Sequence, residues 1–208
     1  MLLGDALDLA ENVVRKLKAE KILICGSIRR MYETVGDIDI LAVADDKIID
    51  NFCKLAERVL AKGNGRASII IGDRQIDLRV VSKEDFWSGV HYFTGSKDHN
   101  VELRKIAIRK GMKLSEYGLF KNEKVIARKS EEEIYKKLGM QYIYPELREN
   151  KGEIETAIKR KIPKLIDYNE IKGDLHIHTK YSDGNNSILE MVNAAKKLGY
   201  SYVGISDH

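Results

Sequence analysis

Cysteine is scarce in this chain, and long apolar runs are absent. Its 208 residues include two cysteines, Cys25 and Cys53, both within apolar segments. We interpret them as free thiols rather than as a disulfide framework. No apolar run approaches the roughly 20 residues that a membrane-spanning helix needs. The first stretch, MLLGDALDLAENVVRKLKAEK, carries acidic residues and helical periodicity, unlike a secretory signal. We therefore expect a cytoplasmic protein without a membrane span.

Charge is moderate overall but unevenly distributed. Hydrophobic residues make up 43% and charged residues 33% of the chain, which permits a buried core. The formal net charge of +4 indicates no particular partner by itself. Basic residues concentrate in the segments 97–113 and 158–164. A basic helix can follow the phosphates of a nucleic acid, although a solvated helix face is the commoner explanation of such a segment.

The pattern of apolar residues predicts helices and strands around a partly antiparallel sheet, an α/β or α+β domain. The predicted helices cover 5–18, 48–60 and 82–93, the last with Ser82 as its N-cap. We expect strands at 21–25 and 37–44, and a hairpin at 67–81 that turns at Gly72. Beyond residue 94 we expect a basic helix, a second hairpin, an N-capped helix and a lysine-rich connector over 151–172.

Two aspartates, Asp37 and Asp39, stand one residue apart in the apolar stretch VGDIDILAVAD. Residues i and i+2 of a strand point to the same face, so the two carboxylates lie together while Ile38 and Ile40 enter the core. Asp77 stands in the same alternating pattern in RQIDLRVV. If the two strands are neighbours, Asp77 adds a third carboxylate to the same site.

Carboxylates this close repel one another, and a divalent cation such as magnesium or manganese relieves the repulsion. Three carboxylates can hold two ions around a phosphoryl transfer. The competing explanation, solvent-facing aspartates on half-exposed strands, is the commoner one for an isolated pair. The preceding CGSIRR favours the metal site, because Gly26 and Ser27 form a tight turn after a strand, and Arg29 and Arg30 add positive charge. Phosphate binders beside metal ligands suggest a nucleoside triphosphate.

The order G-S-x-R-R, G-D-I-D and a later I-D-L resembles the nucleotidyltransferase palm of family X DNA polymerases, the polymerase beta relatives. The stretch YFTGSKDHNVELRKIAIRKGMKLSEYGLF at 92–120 is similar to the thumb of that family. The resemblance implies an α+β fold with a mixed, largely antiparallel palm sheet, flanking helices and an α/β thumb. We expect the palm at 1–93, the thumb at 94–150 and a linker at 151–172.

The resemblance also implies roles for single residues. Asp37, Asp39 and Asp77 are expected to bind two magnesium (or manganese) ions, with Asp77 placed to activate the primer 3′-hydroxyl. The β- and γ-phosphates of the nucleotide are expected on Gly26, Ser27, Arg30 and Gly36.

The remaining implied roles belong to the segment that joins palm and thumb. Tyr92 and Phe93 are expected against the sugar, and Gly95–Ser96 forms a bend whose non-proline cis peptide is a family feature. Asn100 is expected at the base edge and Arg104 at the template strand. These two are four residues apart and share a helix face, opposite the apolar Leu103, Ile106 and Ala107. Core packing for Phe93 and a solvated position for Arg104 are the alternatives.

A second group of metal-binding residue types follows in GDLHIHTKYSDG and YVGISDH. An isolated H-x-H is more often structural than a metal site. This set, however, resembles the opening of a PHP (polymerase and histidinol phosphatase) domain, a (β/α) barrel, which we expect as a fragment at 173–208. His176, His178, Asp183 and His208 match metal ligands of that family, for zinc or manganese, with phosphoester hydrolysis (3′–5′ exonuclease or abasic-site cleavage) as the chemistry.

Departures from both families leave three hypotheses open. The later PHP ligands do not occur in the chain, so we expect little hydrolase activity and a barrel with exposed edges. The lyase domain and helix-hairpin-helix elements of the polymerase family do not occur before the palm, so we expect weakened polymerisation. The chain is then a gap-filling DNA polymerase acting on primer-template DNA and deoxynucleoside triphosphates, a PHP phosphoesterase, or a fragment that binds nucleotide or DNA without efficient turnover.

Overall fold

A mixed five-stranded sheet forms the centre of the amino-terminal part of the molecule. The computed structural model describes residues 1–45 and 47–208. The strands are β1 (Lys21–Ile24), β2 (Ile38–Val43), β3 (Arg58–Gly63), β4 (Arg66–Ile71) and β5 (Arg74–Val80), in the order β1-β2-β5-β4-β3. Strands β2 and β5 pair in parallel, and the other three neighbouring pairs are antiparallel. This arrangement confirms the predicted mixed, largely antiparallel sheet.

Helices cover the sheet because alternate strand residues present an apolar face to them. The helices of this part are α1 (Leu3–Arg15), α2 (Gly26–Arg29), α3 (Lys47–Cys53) and α4 (Phe86–Thr94). Ile38, Ile40, Ile76 and Leu78 are buried together with residues of α1 and α3 in one apolar cluster. The predicted inward direction of the isoleucines around Asp39 is therefore confirmed.

The predicted helix at 48–60 is wrong beyond its first half. Helix α3 ends at Cys53, and strand β3 begins at Arg58. The antiparallel ladder with β4 gives the backbone of β3 its hydrogen-bond partners, which outweighs the local helical pattern. The pattern is misleading because every residue of β3 is exposed, so no alternation of apolar side chains marks the strand. The glycines at 63–65 accordingly belong to the β3–β4 hairpin turn.

The predicted N-cap Ser82 also needs correction. Helix α4 begins at Phe86, four residues further along the chain, and Asp85 occupies its N-cap position. The Ser82 hydroxyl accepts a hydrogen bond from the Asp85 amide at 3.1 Å and donates to the Asp85 carboxylate at 2.7 Å. Ser82 therefore closes a turn that precedes the helix. Its hydroxyl bonds the amide three residues later, as a helix cap would, but that amide belongs to the turn.

A second apolar cluster organises the residues that follow. They form α5 (Lys97–Arg109), a sheet of β6 (Lys113–Ser115), β7 (Gly118–Lys121) and β8 (Lys124–Ala127), α6 (Glu131–Leu138), a 3-10 helix (Pro145–Leu147) and α7 (Glu153–Ile158). Leu103, Leu119, Tyr135 and Ile154 lie in this cluster. The segment 151–172 is thus more than the predicted linker, because α7 at its start packs into the core.

Residues Pro163–His208 form a separate compact unit. It contains a 3-10 helix (Tyr168–Glu170), β9 (Gly173–Ile177), α8 (Ile188–Lys197) and β10 (Tyr202–Ile205), with β9 and β10 paired in parallel. Helix α8 begins with a capping box, in which Ser187 and Glu190 each bond the other's backbone amide.

None of the helices described in residues 1–45 and 47–208 is both long enough and apolar enough to span a membrane.

Candidate nucleotide and metal site

The parallel pair β2–β5 places two carboxylates side by side. Asp39 lies directly opposite Asp77 in the register, and Asp37 stands just before β2 begins. Their neighbours Ile38 and Ile76 point into the core and are almost fully buried. The structure therefore brings together the three aspartates that alternation suggested as a shared site.

The ionised form of Asp39 is destabilised by its surroundings, and a bound cation would stabilise it. Burial is the largest cause that raises the pKa of Asp39 to about 7; the negative charges of Asp37 and Asp77 act in the same direction, and Arg30 and Arg79 act against it. A half-buried carboxylate beside two others is stable in its ionised form when positive charge is close. Because hard oxygen ligands suit divalent magnesium or manganese, the donor set fits the metal that the sequence predicts.

Asp77 is held by two neutral donors that sequence reasoning missed. The Ser68 hydroxyl on β4 donates to one carboxylate oxygen of Asp77, and Gln75 Nε2 donates to the other at 2.9 Å. Ser68 lies opposite Asp77 in the β4–β5 register, a relation that only the strand pairing reveals. Because both partners are uncharged, they fix the orientation of the carboxylate without neutralising it.

The turn after β1 approaches these carboxylates closely. Gly26 has a φ of +60°, and a Cβ there would collide with Asp39 Oδ2. The Ser27 hydroxyl oxygen is buried without a hydrogen-bond partner among the described residues. A buried, unpartnered hydroxyl beside a backbone that only glycine permits is what an anion-binding turn offers to a ligand. Gly26 and Ser27 therefore fit the phosphate-binding role predicted for them.

The two arginines after this turn have different partners. Arg30 donates from Nε to Glu149 Oε1 at 2.6 Å and from Nη1 to the Thr94 carbonyl oxygen at 2.6 Å. Arg29 instead forms a bidentate pair with Glu131, at 3.0 and 2.6 Å. Arg30 alone of the two lines the cleft beside the aspartates. The charge of Arg29 is compensated by an ion pair that the sequence did not reveal.

The junction of α4 and α5 forms the opposite wall of the site. The Gly95–Ser96 peptide is cis, as the resemblance implies, and the Ser96 hydroxyl caps α5 by accepting the His99 amide at 3.3 Å. Asn100 Nδ2 donates to the Tyr92 carbonyl oxygen at 2.7 Å, and Asn100 Oδ1 is buried without a partner among the described residues. The amide of Asn100 is therefore fixed in orientation, with an acceptor still available.

A cleft of about 400 Å³ lies between these walls, a volume within the usual range of small-molecule sites. It is lined by Gly26, Ser27, Arg30, Asp37, Asp39, Tyr92, Phe93, Thr94, Gly95, Lys97, Asn100 and Arg104. Thr94 and Lys97 are additions to the predicted set. Of the predicted residues, Gly36, Asp77 and Ser96 are outside this lining, and Asp77 lines an adjoining cavity that shares Asp39 and Phe93.

The unit Pro163–His208 contains its own group of metal-binding side chains. Ligand atoms of His178, Asp183 and His208 lie within 4.8 Å of one another. Asp183 Oδ1 is 2.5 Å from His178 Nδ1, and this hydrogen bond is the main cause that lowers the pKa of Asp183. His176 stacks on His178 with 3.1 Å between the Nε2 atoms but stands outside the compact set. Three of the four predicted ligands thus come together.

Asp207, next to His208, has a different role. Its carboxylate accepts hydrogen bonds from the Thr179 amide at 2.6 Å, the Thr179 hydroxyl at 2.5 Å and the Ser182 hydroxyl at 2.7 Å. These bonds tie the end of β10 to the loop that carries Asp183, so Asp207 positions the cluster.

Family models match nearly the whole chain. The DNA polymerase beta palm model matches residues 5–112, the DNA polymerase beta thumb model residues 89–149, and the PHP domain model residues 174–208. The palm match alone covers more than half of the chain. This chain belongs to the family X, or polymerase beta-like, DNA polymerases. Polymerases of this family use divalent metal ions and act on DNA and deoxynucleotides.

Curated relatives of this family X polymerase include bacterial, viral and yeast proteins. The DNA polymerase/3'-5' exonuclease PolX of Bacillus subtilis (strain 168) is 37% identical over 99% of the chain and 38% of its own length. The repair DNA polymerase X of African swine fever virus (strain Badajoz 1971 Vero-adapted) is 29% identical over 64% of the chain and 84% of its own length. DNA polymerase IV of Saccharomyces cerevisiae is 33% identical over 40% of the chain and 14% of its own length. The chain therefore spans less than half of the Bacillus relative.

Proposed function

We propose that this chain is a template-directed DNA polymerase that fills gaps in repair by two-metal phosphoryl transfer. The observation that carries the proposal is the parallel register of β2 and β5, which sets Asp39 beside Asp77 at the edge of a cleft with phosphate-binding groups. Viral and bacterial relatives named as DNA polymerases support the same reaction. The domain division, with the palm at 1–93, the thumb at 94–150 and a PHP fragment at 173–208, is part of this proposal.

The aspartates are the chemical centre of the proposed reaction. Asp37, Asp39 and Asp77 hold two divalent cations, Mg²⁺ or Mn²⁺, which supply positive charge for the attacking and leaving oxygens. Asp77, oriented by Ser68 and Gln75, lies at the primer side and promotes loss of the proton from the 3′-hydroxyl. The protein contributes mainly positioning and charge neutralisation, because phosphoryl transfer needs little covalent participation from side chains.

The walls of the cleft bind the incoming nucleotide and the template. Its β- and γ-phosphates contact Gly26, Ser27, Arg30 and Gly36. Its sugar lies against Tyr92 and Phe93 at the bend Gly95–Ser96, and Asn100 reaches the base edge. Arg104, one helical turn further along the exposed face of α5, contacts the template strand.

Primer extension on a gapped duplex tests the proposal. With Mg²⁺ and each of the four template bases, wild type incorporates the complementary deoxynucleotide, and Asp77→Asn reduces incorporation by at least about 100-fold because a required carboxylate is lost. Asp73→Asn, an exposed aspartate in the β4–β5 turn, serves as the matched control and keeps wild-type activity. Incorporation that ignores the template base, or that survives Asp77→Asn, would overturn the proposal.

The PHP unit supports a second candidate function, metal-dependent phosphoester hydrolysis. The compact set His178, Asp183 and His208 offers the nitrogen and oxygen ligands that suit Zn²⁺ or Mn²⁺. Release of nucleotides from a DNA 3′ end that survives Asp39→Ala but is lost in His178→Ala would favour this hydrolase. If wild type binds nucleotide in a metal-dependent way and neither activity is measurable, the chain acts as a binding fragment.

A cytoplasmic location is also proposed. It is supported by the two free cysteines, because a reducing compartment keeps such thiols unpaired.

A further inference from the structure

Glu149 reaches the proposed triphosphate site from a distant part of the sequence. Its Oε1 lies 2.6 Å from Arg30 Nε, across 119 residues of chain. Both side chains are largely buried, with 20% of Glu149 and 12% of Arg30 exposed. Arg30 Nη1 also donates to the Thr94 carbonyl oxygen at 2.6 Å. The long side chain of Arg30 is thus fixed at two points.

The backbone around Glu149 is anchored on both sides. On one side, the completely buried guanidinium of Arg148 donates two hydrogen bonds to the Ile143 carbonyl oxygen, at 3.0 and 2.9 Å. The backbone carbonyl oxygen of Arg148 accepts a hydrogen bond from the Ser96 amide at 3.0 Å. On the other side, the Glu153 carboxylate accepts the amides of Asn150 and Lys151 at 2.9 and 2.7 Å. Such anchoring makes Glu149 a fixed support rather than a mobile surface acid.

Glu153 also connects this loop to the first turn of α5. Its Oε1 lies 2.6 Å from Nδ1 of the buried His99, whose Nε2 lies 2.9 Å from the Tyr135 hydroxyl. His99 stands next to Asn100, the residue proposed to reach the base edge. The segment 148–153 therefore contacts both the arginine and the helix that form the nucleotide cleft.

The geometry of the Arg30–Glu149 contact leaves donors for a ligand. A guanidinium has five N–H groups. Among the described residues, Glu149 and Thr94 accept from two of them. Arg30 lines the cleft together with Gly26 and Ser27, whereas Glu149 is not part of that lining. The carboxylate thus contacts the guanidinium away from the cleft.

We propose that Glu149 is a positioning residue for the nucleotide, because it holds Arg30 in the orientation that binds the triphosphate. This inference rests on the proposed nucleotide site and deepens it. An arginine that is already oriented loses less conformational freedom when an anion binds. The opposite possibility is that Glu149 competes with the triphosphate for Arg30, in which case its removal would tighten binding.

The proposal is tested by measuring the equilibrium binding of Mg²⁺–dTTP and of dTMP. Both are measured with the full chain bound to a gapped duplex whose primer ends in a dideoxynucleotide. We expect Glu149→Ala to weaken dTTP binding about three- to tenfold, the effect of ordering one long side chain, and to leave dTMP binding unchanged. Glu149→Gln, which retains an acceptor oxygen for Nε, should bind dTTP more like wild type. Glu146→Ala, at an exposed acid of the adjacent 3-10 helix, is the matched control and should bind like wild type.

The double variant Arg30→Ala/Glu149→Ala separates positioning from a general structural effect. If Glu149 acts through Arg30, the double variant binds dTTP as weakly as Arg30→Ala alone, whereas independent effects would add. Thermal unfolding followed by circular dichroism identifies any variant that does not fold. If Glu149→Ala does not fold, Glu149→Ser, which also removes the carboxylate, takes its place with the same expected loss. Unchanged or tighter dTTP binding in Glu149→Ala, or additive effects, would overturn the inference while leaving the proposed function intact. If wild type itself binds no dTTP, the proposed function fails and the inference fails with it.

Discussion

At the scale of single residues, the site depends on close approach between a glycine and a carboxylate. The turn at Gly26 passes so near Asp39 that no side chain fits between them. The same turn places the buried, unpartnered Ser27 hydroxyl beside the cleft, next to Asp39, whose pKa is raised by burial and by the neighbouring carboxylates. The proposed phosphate site and the proposed metal site are therefore adjacent, because one backbone conformation forms part of both.

Gly26→Ala is expected to damage this site specifically. The added Cβ meets Asp39 Oδ2 and also places alanine at a φ of +60°, which costs roughly 1 kcal/mol. We expect metal-dependent dTTP binding to fall at least about tenfold, because Asp39 must move. Calorimetric titration with dTTP and Mg²⁺ measures the effect.

Gly72→Ala is the matched control for Gly26→Ala. Gly72 has a φ of +61° in the β4–β5 turn, and nothing lies within 4 Å of an added Cβ. This variant should lose a similar amount of stability from backbone strain but bind dTTP normally. Equal binding by both variants would show that the contact between Gly26 and Asp39 is unimportant.

The sequence could predict which residues share a face of a strand, but not which residues from distant parts of the chain contact one another. Alternation around Ile38 and Ile76 is enough to place Asp39 and Asp77 on matching faces, and the parallel pairing confirms it. Ser68 and Glu149 could not be predicted, because their roles depend on strand register or on a loop more than 100 residues away. Gln75 is two residues from Asp77 on the same strand face, so alternation could have identified it.

At the scale of elements, one buried carboxylate joins α2 to α6. Glu131 begins α6 and accepts hydrogen bonds from Arg29 on α2 and from Arg148, the latter at 2.6 Å. Burial by itself would raise the pKa of Glu131, but the hydrogen bonds and charges of the two arginines outweigh it and lower the pKa to about 2. The helix that carries Ser27 is therefore tied to the start of α6 by a buried ion pair.

Glu131→Gln is expected to destabilise the fold by about 3–5 kcal/mol, because it leaves two arginines without their shared, buried counter-charge. Glu132→Gln, at the exposed neighbour in the same first turn, should cost about 0.3–1 kcal/mol through the helix dipole alone. Urea unfolding of both variants at neutral pH gives the comparison. Similar costs for the two substitutions would contradict the assigned role.

The same carboxylate predicts a dependence of stability on pH. The folded pKa of Glu131, about 2, lies below the ordinary value of 4.5, so its contribution is complete above pH 4.5. The contribution declines as the pH falls from about 4.5 towards about 2. Glu131→Gln should therefore lose less stability than wild type over this interval in urea titrations. Parallel curves for the two proteins would contradict this prediction.

Element boundaries show where local patterns mislead. The pattern over 48–60 fits a helix, yet the helix ends at Cys53 and the last three residues begin the edge strand β3, because pairing with β4 supplies hydrogen bonds that the local pattern cannot reveal. Ser82 carries the chemistry of a helix cap but closes a preceding turn. The capped starts of α5 and α6 are true caps, because Ser96 and Ser130 each accept an amide from three residues later.

At the level of the whole molecule, the buried apolar residues that the structure describes lie in the unit Met1–Ile162, which precedes the unit Pro163–His208. All three apolar clusters consist of residues up to Ile162. In the second unit, among the residues whose burial the structure describes, Thr179 alone is buried, and Leu175 and Leu189 are 71% and 69% exposed. The residues Met1–Ile162 thus have a core of their own.

A chain ending at Ile162 is therefore expected to fold by itself and to keep nucleotide incorporation within about twofold of the full chain, because every residue of the proposed polymerase site precedes that point. Thermal unfolding and single-nucleotide incorporation on a gapped duplex measure both properties. An unfolded product, or incorporation reduced more than about tenfold, would show that Pro163–His208 contributes to the polymerase unit.

We propose that Asp37, Asp39 and Asp77 together hold divalent metal ions beside a triphosphate bound at Gly26–Arg30. Anomalous diffraction from crystals grown with Mn²⁺ and a non-hydrolysable deoxynucleoside triphosphate tests it most directly. We predict manganese peaks within coordination distance of the aspartate oxygens, with the triphosphate along Gly26, Ser27 and Arg30. Manganese confined to His178, Asp183 and His208, or a triphosphate bound elsewhere, would contradict the proposed site.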